Sequence, residues 1–273
     1  MPFTPSHAVV ALPFVRTPLL PAAIAVGAMT PDLPLFVRGT ALTYQVTHTN
    51  LLASTLLALA LLVLWYALLR PAVRELAPGW LASRLPVDWD ATGVAAWESV
   101  RAPRSGARAA VWRDTMVFAP LVAISLLLGV ASHVVWDAFT HEGRWGLTVF
   151  PALDQQWGPL LGYKWLQYGS TVFGLVVLAV FCTRWLVRRR VDPPRRLFPR
   201  WVRWSWWLAL PLSLAIAWFT GLALLGPIEG TFTAAHLSYR VLPPACAVWG
   251  ALTVALCAAV LVRRRAAARA VTG

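Results

Sequence analysis

Charge is scarce in this chain, and acidic charge scarcest of all. Of 273 residues only 13% are Asp, Glu, Lys or Arg, and Asp and Glu together number 11. An ordinary soluble domain carries roughly 25% charged residues, so a water-facing surface is excluded over most of the sequence. Cysteine is nearly absent too. Cys182, Cys246 and Cys257 are odd in number, lie in apolar stretches and lack a Cys-x-x-Cys spacing. That argues against a disulfide framework and against a thiolate metal site, and leaves them as packing residues. Also missing are an internal repeat, a nucleotide-binding glycine loop, a low-complexity tract and the Gly-x-Ser-x-Gly motif of a serine hydrolase.

What the chain has is hydrophobic length, with 59% of its residues apolar. A helix needs about 20 consecutive apolar residues to cross a bilayer. Residues 50–69, 117–136, 170–181 with their flanks, 205–226 and 242–262 are five such runs. The last opens on Pro243 and Pro244, which suit a first helical turn because the amides there have no partner in any case. Residues 3–36 are apolar as well, but Pro13, Pro18, Pro21, Pro31 and Pro34 interrupt them. This predicts two short helices with a turn near Arg16, a tight or re-entrant hairpin. A secretory signal begins with positive charge, whereas the first basic residue here is Arg16, inside the apolar stretch, so the segment is expected to stay on the mature protein. The expectation is an all-α, polytopic helical membrane protein with five transmembrane helices. One membrane domain covers 1–273, with the N-terminal hairpin at 1–38, a loop of short interfacial helices at 70–114 and a second loop at 137–169.

A formal net charge of +13 raises the question of nucleic acid, but the basic residues follow the loops. Seven Lys or Arg lie in 70–114, eight in 184–203 and four after Val262, which is 19 of the 24, while only Arg144, Lys164 and Arg240 fall in the two opposite loops. Translocating basic loops is disfavoured, so the basic loops and the C-terminus are expected in the cytoplasm and 137–169 outside. Arg188, Arg189, Arg190, Arg195 and Arg196 then meet anionic lipid headgroups, and no nucleic-acid partner is expected. Oligomeric state is open.

With the spans placed, the polar residues at their ends converge. His48 precedes the first span, and His133, Asp137 and His141 sit at the outer end of the second. Residues four apart share a helix face, so His133 and Asp137 point the same way, with His141 near them if the helix continues. If Arg16 marks the inner turn of the hairpin, His7 and Asp32 return to the same side. Imidazole and carboxylate are the ligands of zinc or another borderline divalent metal. Each residue also has a plainer use: His7 or His48 at a helix end, Asp32 as a cap, His133 with Asp137 as a pair between helices. Ionisable groups near a membrane core are nonetheless functional candidates by default.

The opening Met1-Pro2-Phe3-Thr4-Pro5-Ser6-His7, the stretch from Gly27 to Pro31-Asp32, Thr47-His48, the block from Ser132-His133 to Thr140-His141 and Gln167-Tyr168-Gly169-Ser170-Thr171 together resemble a bacterial membrane family of unknown function, DUF family 4184. The match covers most of the chain. More remotely, the order His, Pro-Asp, His, then His-x-x-x-Asp is similar to predicted membrane-bound metal-dependent hydrolases, themselves similar to helical zinc-dependent phospholipase C enzymes. The latter are soluble and use more ligands than the six matched here.

A metal held by His7, Asp32, His48, His133, Asp137 and His141 could activate water and polarise a phosphoryl or acyl oxygen. The functional expectation is therefore a membrane-bound, metal-dependent hydrolase acting on a phosphoester or ester of the cell envelope, with membrane lipid as partner. Asp137 or Asp32 serves as ligand or as general base. The rival expectation is a non-enzymatic membrane protein in which the cluster is structural. A transporter fits less well, because the halves do not repeat and the ionisable residues gather at one face. Glu142 and Asp154 are candidates to hold the ligands from outside, and Arg144 or Lys164 to bind an anionic substrate. Glu229 and His236, in the other outer loop, carry no mark in their spacing.

Overall fold

The computed structural model describes residues 4–101 and 115–272. The stretch 102–114 of the expected cytoplasmic loop, with Arg104, Arg108 and Arg113, and the first three residues of the opening motif lie outside the described residues. Seven helices carry the architecture: α1 Pro21–Met29, α2 Tyr44–Thr49, α3 Leu51–Leu76, α4 Thr115–Thr140, α5 Gly162–Val187, α6 Arg200–Leu225 and α7 Ala234–Thr272. Five of them, α3 to α7, are long and apolar enough to cross a membrane, with mean hydropathies of 1.9 to 2.3. Their outward faces are oily. Val172, Phe173 and Val176 on α5 and Leu208, Leu212, Ile216 and Phe219 on α6 are all exposed. Contiguous apolar surface of that kind needs something apolar against it. The chain is thus all-α and consistent with a multi-pass membrane protein. Among the described residues the one sheet is a two-stranded hairpin, Gln156–Trp157 against Leu160–Leu161.

The chain divides into two compact units, described separately. The first comprises Met1–Pro34, Leu42–Val63 and Arg101–Arg188; the second comprises Leu35–Ala41, Leu64–Val100 and Arg189–Gly273.

In the first unit the expected hairpin is present. A 3-10 helix, Thr4–Arg16, turns back through residues 17–20 into α1, and a second 3-10 stretch, Thr30–Leu35, follows. Pro21 lies in the first turn of α1, where its missing N–H is harmless. The amide of Leu20 just before it donates to Ser125 Oγ of α4 at 2.9 Å. α1 then packs on α4 backbone to backbone. A Cβ on Gly27 would collide with the carbonyl of Leu126, and one on Gly129 with the carbonyl of Ile24 and, at 2.8 Å, the amide of Ala28. Glycine at both positions permits this approach, the small-residue packing of membrane helices. α5 presses on the first arm in the same manner, since a Cβ on Gly174 would lie 2.9 Å from the carbonyl of Ser6.

In the second unit two sequence expectations are corrected. The first span does not end at Leu69. A π turn over Trp65–Leu69 leads into a further helical segment, Arg70–Leu76. Pro71 cannot donate to an α-helical ladder, and the wider turn ahead of it accommodates the ring. Nor does the last helix begin at Pro243. α7 starts nine residues earlier at Ala234, where Thr233 Oγ1 accepts from the amide of His236 at 3.4 Å, and it runs through both prolines. Pro243 leaves the carbonyl of Tyr239 without its intrahelical donor. The guanidinium of Arg38 supplies the donor, at 2.5 Å, and stacks over the Tyr239 ring.

Candidate metal centre

Asp32, His48, His133 and Asp137 each bring one ligand-type atom into a set whose members all lie within 4.8 Å of one another, and all four residues are buried. They come from three places in the first unit. Asp32 lies in the 3-10 stretch after α1, His48 in α2, and His133 and Asp137 one turn apart in α4. The contact of Gly27 with Gly129 sets the depth at which α1 meets α4. It brings the carbonyl of Ala28 to 2.7 Å from His133 Nδ1.

The sense of that hydrogen bond matters. A carbonyl only accepts, so His133 Nδ1 carries a proton and donates it, and Nε2 is the nitrogen turned inward. His48 is arranged alike, with Nδ1 donating to the carbonyl of Tyr44 at 3.0 Å. The carboxylates repeat the pattern with reversed roles. Asp32 Oδ2 accepts from Thr4 Oγ1 at 2.6 Å and Asp137 Oδ2 accepts from Tyr44 Oη at 3.0 Å. In each residue one polar atom is tied from outside and another is left facing inward. The inward ones, Asp32 Oδ1, His48 Nε2, His133 Nε2, Asp137 Oδ1 and, beside them, His7 Nε2, are buried with no hydrogen-bond partner. Orphaned polar atoms are rare in protein interiors, and five in one place mark a site for water or an ion.

The separations fit an ion better than they fit hydrogen bonds. Asp137 Oδ2 is 3.5 Å from His48 Nε2, from His133 Nε2 and from His141 Nδ1. His133 Nε2 is 3.7 Å from Asp32 Oδ1, and His7 Nε2 is 4.0 Å from Asp137 Oδ1. Two donors bound to one tetrahedral ion through bonds of about 2.0–2.2 Å stand about 3.3–3.6 Å apart. Among the described residues neither aspartate pairs with Lys or Arg; their charged-type neighbours are imidazoles. Burial, ahead of repulsion from His133, lowers His7 to about 4, and burial raises Asp32 and lowers His141. Burial thus opposes charge on His7 and His141, and buried carboxylates without a Lys or Arg partner are a setting in which a divalent metal could be accommodated.

Of the six residues expected from sequence, the structure brings four into the compact set and stations His7 and His141 beside it. His7 stacks on His133 with ring centroids 4.2 Å apart. His141 lies just past the end of α4. Its Nδ1 reaches the carbonyl of Asp137 at 3.2 Å and its Nε2 is 3.3 Å from the Gln167 amide nitrogen. Thr4, Tyr44 and Gln167 were not singled out as site residues by sequence reasoning. Tyr44 carried a usable signal, standing one helical turn before His48 and stacking on it at 3.6 Å. Gln167 carried another, as a buried amide at the head of an apolar span. Glu142 and Asp154 lie outside the set of ligand atoms. Arg144 stacks over the ring of Tyr44 at 5.2 Å, whereas Lys164 stacks over Tyr163. Glu229 and His236 belong to the second unit, where Glu229 forms a backbone bridge with Phe232 and His236 bonds Thr233.

Fold and centre together define a helical protein of membrane type with a buried His/Asp cluster that could hold a metal ion. The particular family follows from the sequence as a whole: over residues 1–262 the chain matches the family described as Domain of unknown function (DUF4184), and it belongs to that family. No curated protein and no solved structure matches the chain.

Proposed function

We propose that the chain is a membrane-bound, metal-dependent hydrolase of a phosphoester or ester in the cell envelope. The observation that supports this reading is the convergence of five unpartnered buried donor atoms, from His7, Asp32, His48, His133 and Asp137. A divalent ion such as zinc, when bound, supplies an acidified water and a Lewis acid. Asp137 stands at the hub of four imidazoles and is the central ligand. Asp32 comes within 4.0 Å of His133 alone among them and is the more peripheral of the two carboxylate ligands, the one placed to take the proton from water. Thr4 and Tyr44 hold the outer oxygens of the two aspartates and fix their planes. Access is from the side of Tyr44, His141 and Arg144, which are all partly exposed.

A second reading, a purely structural ion, is favoured by the four-donor count, because structural zinc is closed by four protein ligands. His7 Nε2, a fifth buried donor without a partner, exceeds the four-ligand set of a structural zinc. Purified protein in detergent or lipid should turn over a member of a phosphoester and ester panel, lose that turnover to a chelator and regain it with zinc or manganese. His133→Ala should abolish it and leave the protein folded, with a melting temperature near that of chelator-treated wild type. Metal-loaded protein with no chelator-sensitive turnover on any substrate would establish the structural reading instead. The proposed orientation, with the centre at the extracytoplasmic face, is tested by labelling Trp157→Cys and Arg188→Cys proteins in intact cells. An accessible position 188 with a protected 157 reverses it.

A further inference from the structure

The proposed chemistry leaves the substrate class between charged phosphoesters and neutral carboxylic esters. Arg144 decides between them. Its guanidinium lies 5.2 Å over the Tyr44 ring, and Tyr44 in turn donates to Asp137 Oδ2 and stacks on His48. The charge therefore stands one aromatic ring away from two of the four clustered ligands. Lys164 is engaged elsewhere, over Tyr163. Among the described residues the Arg144 guanidinium has no hydrogen-bond or carboxylate partner and rests on the Tyr44 face, while the backbone carbonyl of Arg144 accepts from the amide of Leu147 at 3.0 Å.

An arginine held by an aromatic face with its donors unspent is suited to a planar, multidentate anion. Guanidinium forks match phosphate oxygens two at a time, and stacking costs none of the N–H donors. A neutral ester offers that fork a carbonyl acceptor without charge, a weaker match than a phosphate. The segment that follows Arg144 exposes apolar side chains: Trp145, Val149 and Phe150 are each more than half exposed, and Trp157 and Trp165 nearly so. Exposed aromatic side chains at the end of a membrane span favour the headgroup level of a bilayer. A substrate with an anionic head and an apolar tail would meet both features at once.

We propose that Arg144, carried on the Tyr44 ring, binds the phosphate-type anionic group of the substrate and makes the centre selective for phosphoesters. The inference rests on the metal-hydrolase reading and deepens it. Arg144 acts by binding and touches none of the metal donors, so it can be altered with the centre intact.

The test uses full-length protein in nanodiscs of zwitterionic lipid. Inorganic phosphate and, in a second arm, a phosphomonoester lipid doped into the disc are titrated against wild type, Arg144→Ala and Arg144→Lys, with metal content measured on every sample. Arg144→Ala should weaken phosphate binding at least tenfold at unchanged metal content. Arg144→Lys should fall between, keeping the charge and losing the fork. If the lipid binds more tightly than inorganic phosphate and shows the same ranking of variants, the source is a lipid headgroup. If inorganic phosphate shows the ranking and the lipid does not bind, the site takes a soluble phosphoester. Metal-loaded wild type that binds phosphate no better than Arg144→Ala overturns the inference and leaves the metal centre standing. Wild type without metal overturns both.

Discussion

The two units each bury a knot of ionisable side chains, and they do so in opposite ways. In the second unit, Arg74, Glu75 and Arg70 are at most 5% exposed, and every charge meets its complement. Arg70 pairs with Asp88 at 2.6 Å, Arg74 with Asp90 at 2.5 Å, and Arg264 with Asp90 at 2.7 Å. Glu75 accepts the amides of Leu197 and Phe198 at 3.0 and 3.1 Å and pairs with Arg203. Even the carbonyls at the end of α3 are capped, those of Arg74, Glu75 and Ala77 by Arg196 and that of Leu76 by Trp207. A single atom of this network, Arg264 Nε, has no partner. In the first unit the cluster holds two carboxylates that, among the described residues, meet imidazoles but no Lys or Arg, and five inward atoms are left over. The second-unit knot is complete without help and reads as structure. The first-unit knot keeps donors that a cation could complete, and the hydrogen bonds around it are the scaffold that keeps those donors turned inward.

Breaking either knot should sharpen the contrast. The largest effect belongs to the pair His133→Ala, Asp137→Ala: metal content should fall from at least one ion per chain to background, and a chelator that destabilises wild type should leave the variant's melting temperature unmoved. Equal metal in both proteins would remove the basis of the centre. Next, Glu75→Ala leaves Arg203 and two amides without their acceptor, a loss of about 3–5 kcal/mol for a broken buried pair. Its melting temperature should drop by the same amount with and without chelator, and its metal content should match wild type. A drop that appears only in the presence of metal would mean that the two knots are not separable. Smaller again, Tyr44→Phe and Thr4→Val each remove one outer hydrogen bond from an aspartate and should lower metal affinity about 10–100-fold, the usual effect of groups that orient a ligand. Competition with a metal-binding dye reads this directly. Unchanged affinity in both would show that the carboxylates are oriented by something other than these hydroxyls.

These contrasts also explain what could be read in advance. Hydrophobic length announces the five spans because bilayer thickness is a one-dimensional constraint. The spacing of His133 and Asp137 announces a shared face because four residues make about one helical turn. Thr4 on Asp32, Tyr44 on Asp137 and Ala28 on His133 are separated from their partners by 28, 93 and 105 positions and obey no local rule. The passage of α7 through Pro243 is of the same kind, since the donor that makes it tolerable, Arg38, lies 201 positions from Tyr239, whose carbonyl it serves. The π turn before Pro71 is local, yet it is an exception to how proline ends helices, so composition alone places the boundary too early.

The central claim is that Asp32, His48, His133 and Asp137 hold one divalent ion. X-ray absorption at the metal edge of protein purified without added metal tests it most directly. The account predicts an ion whose neighbours are nitrogen and oxygen alone, at about 2.0–2.2 Å, with the outer scattering of at least two imidazole rings. A sulfur neighbour, a shell without imidazole, or protein that remains free of metal after exposure to zinc and manganese would contradict it.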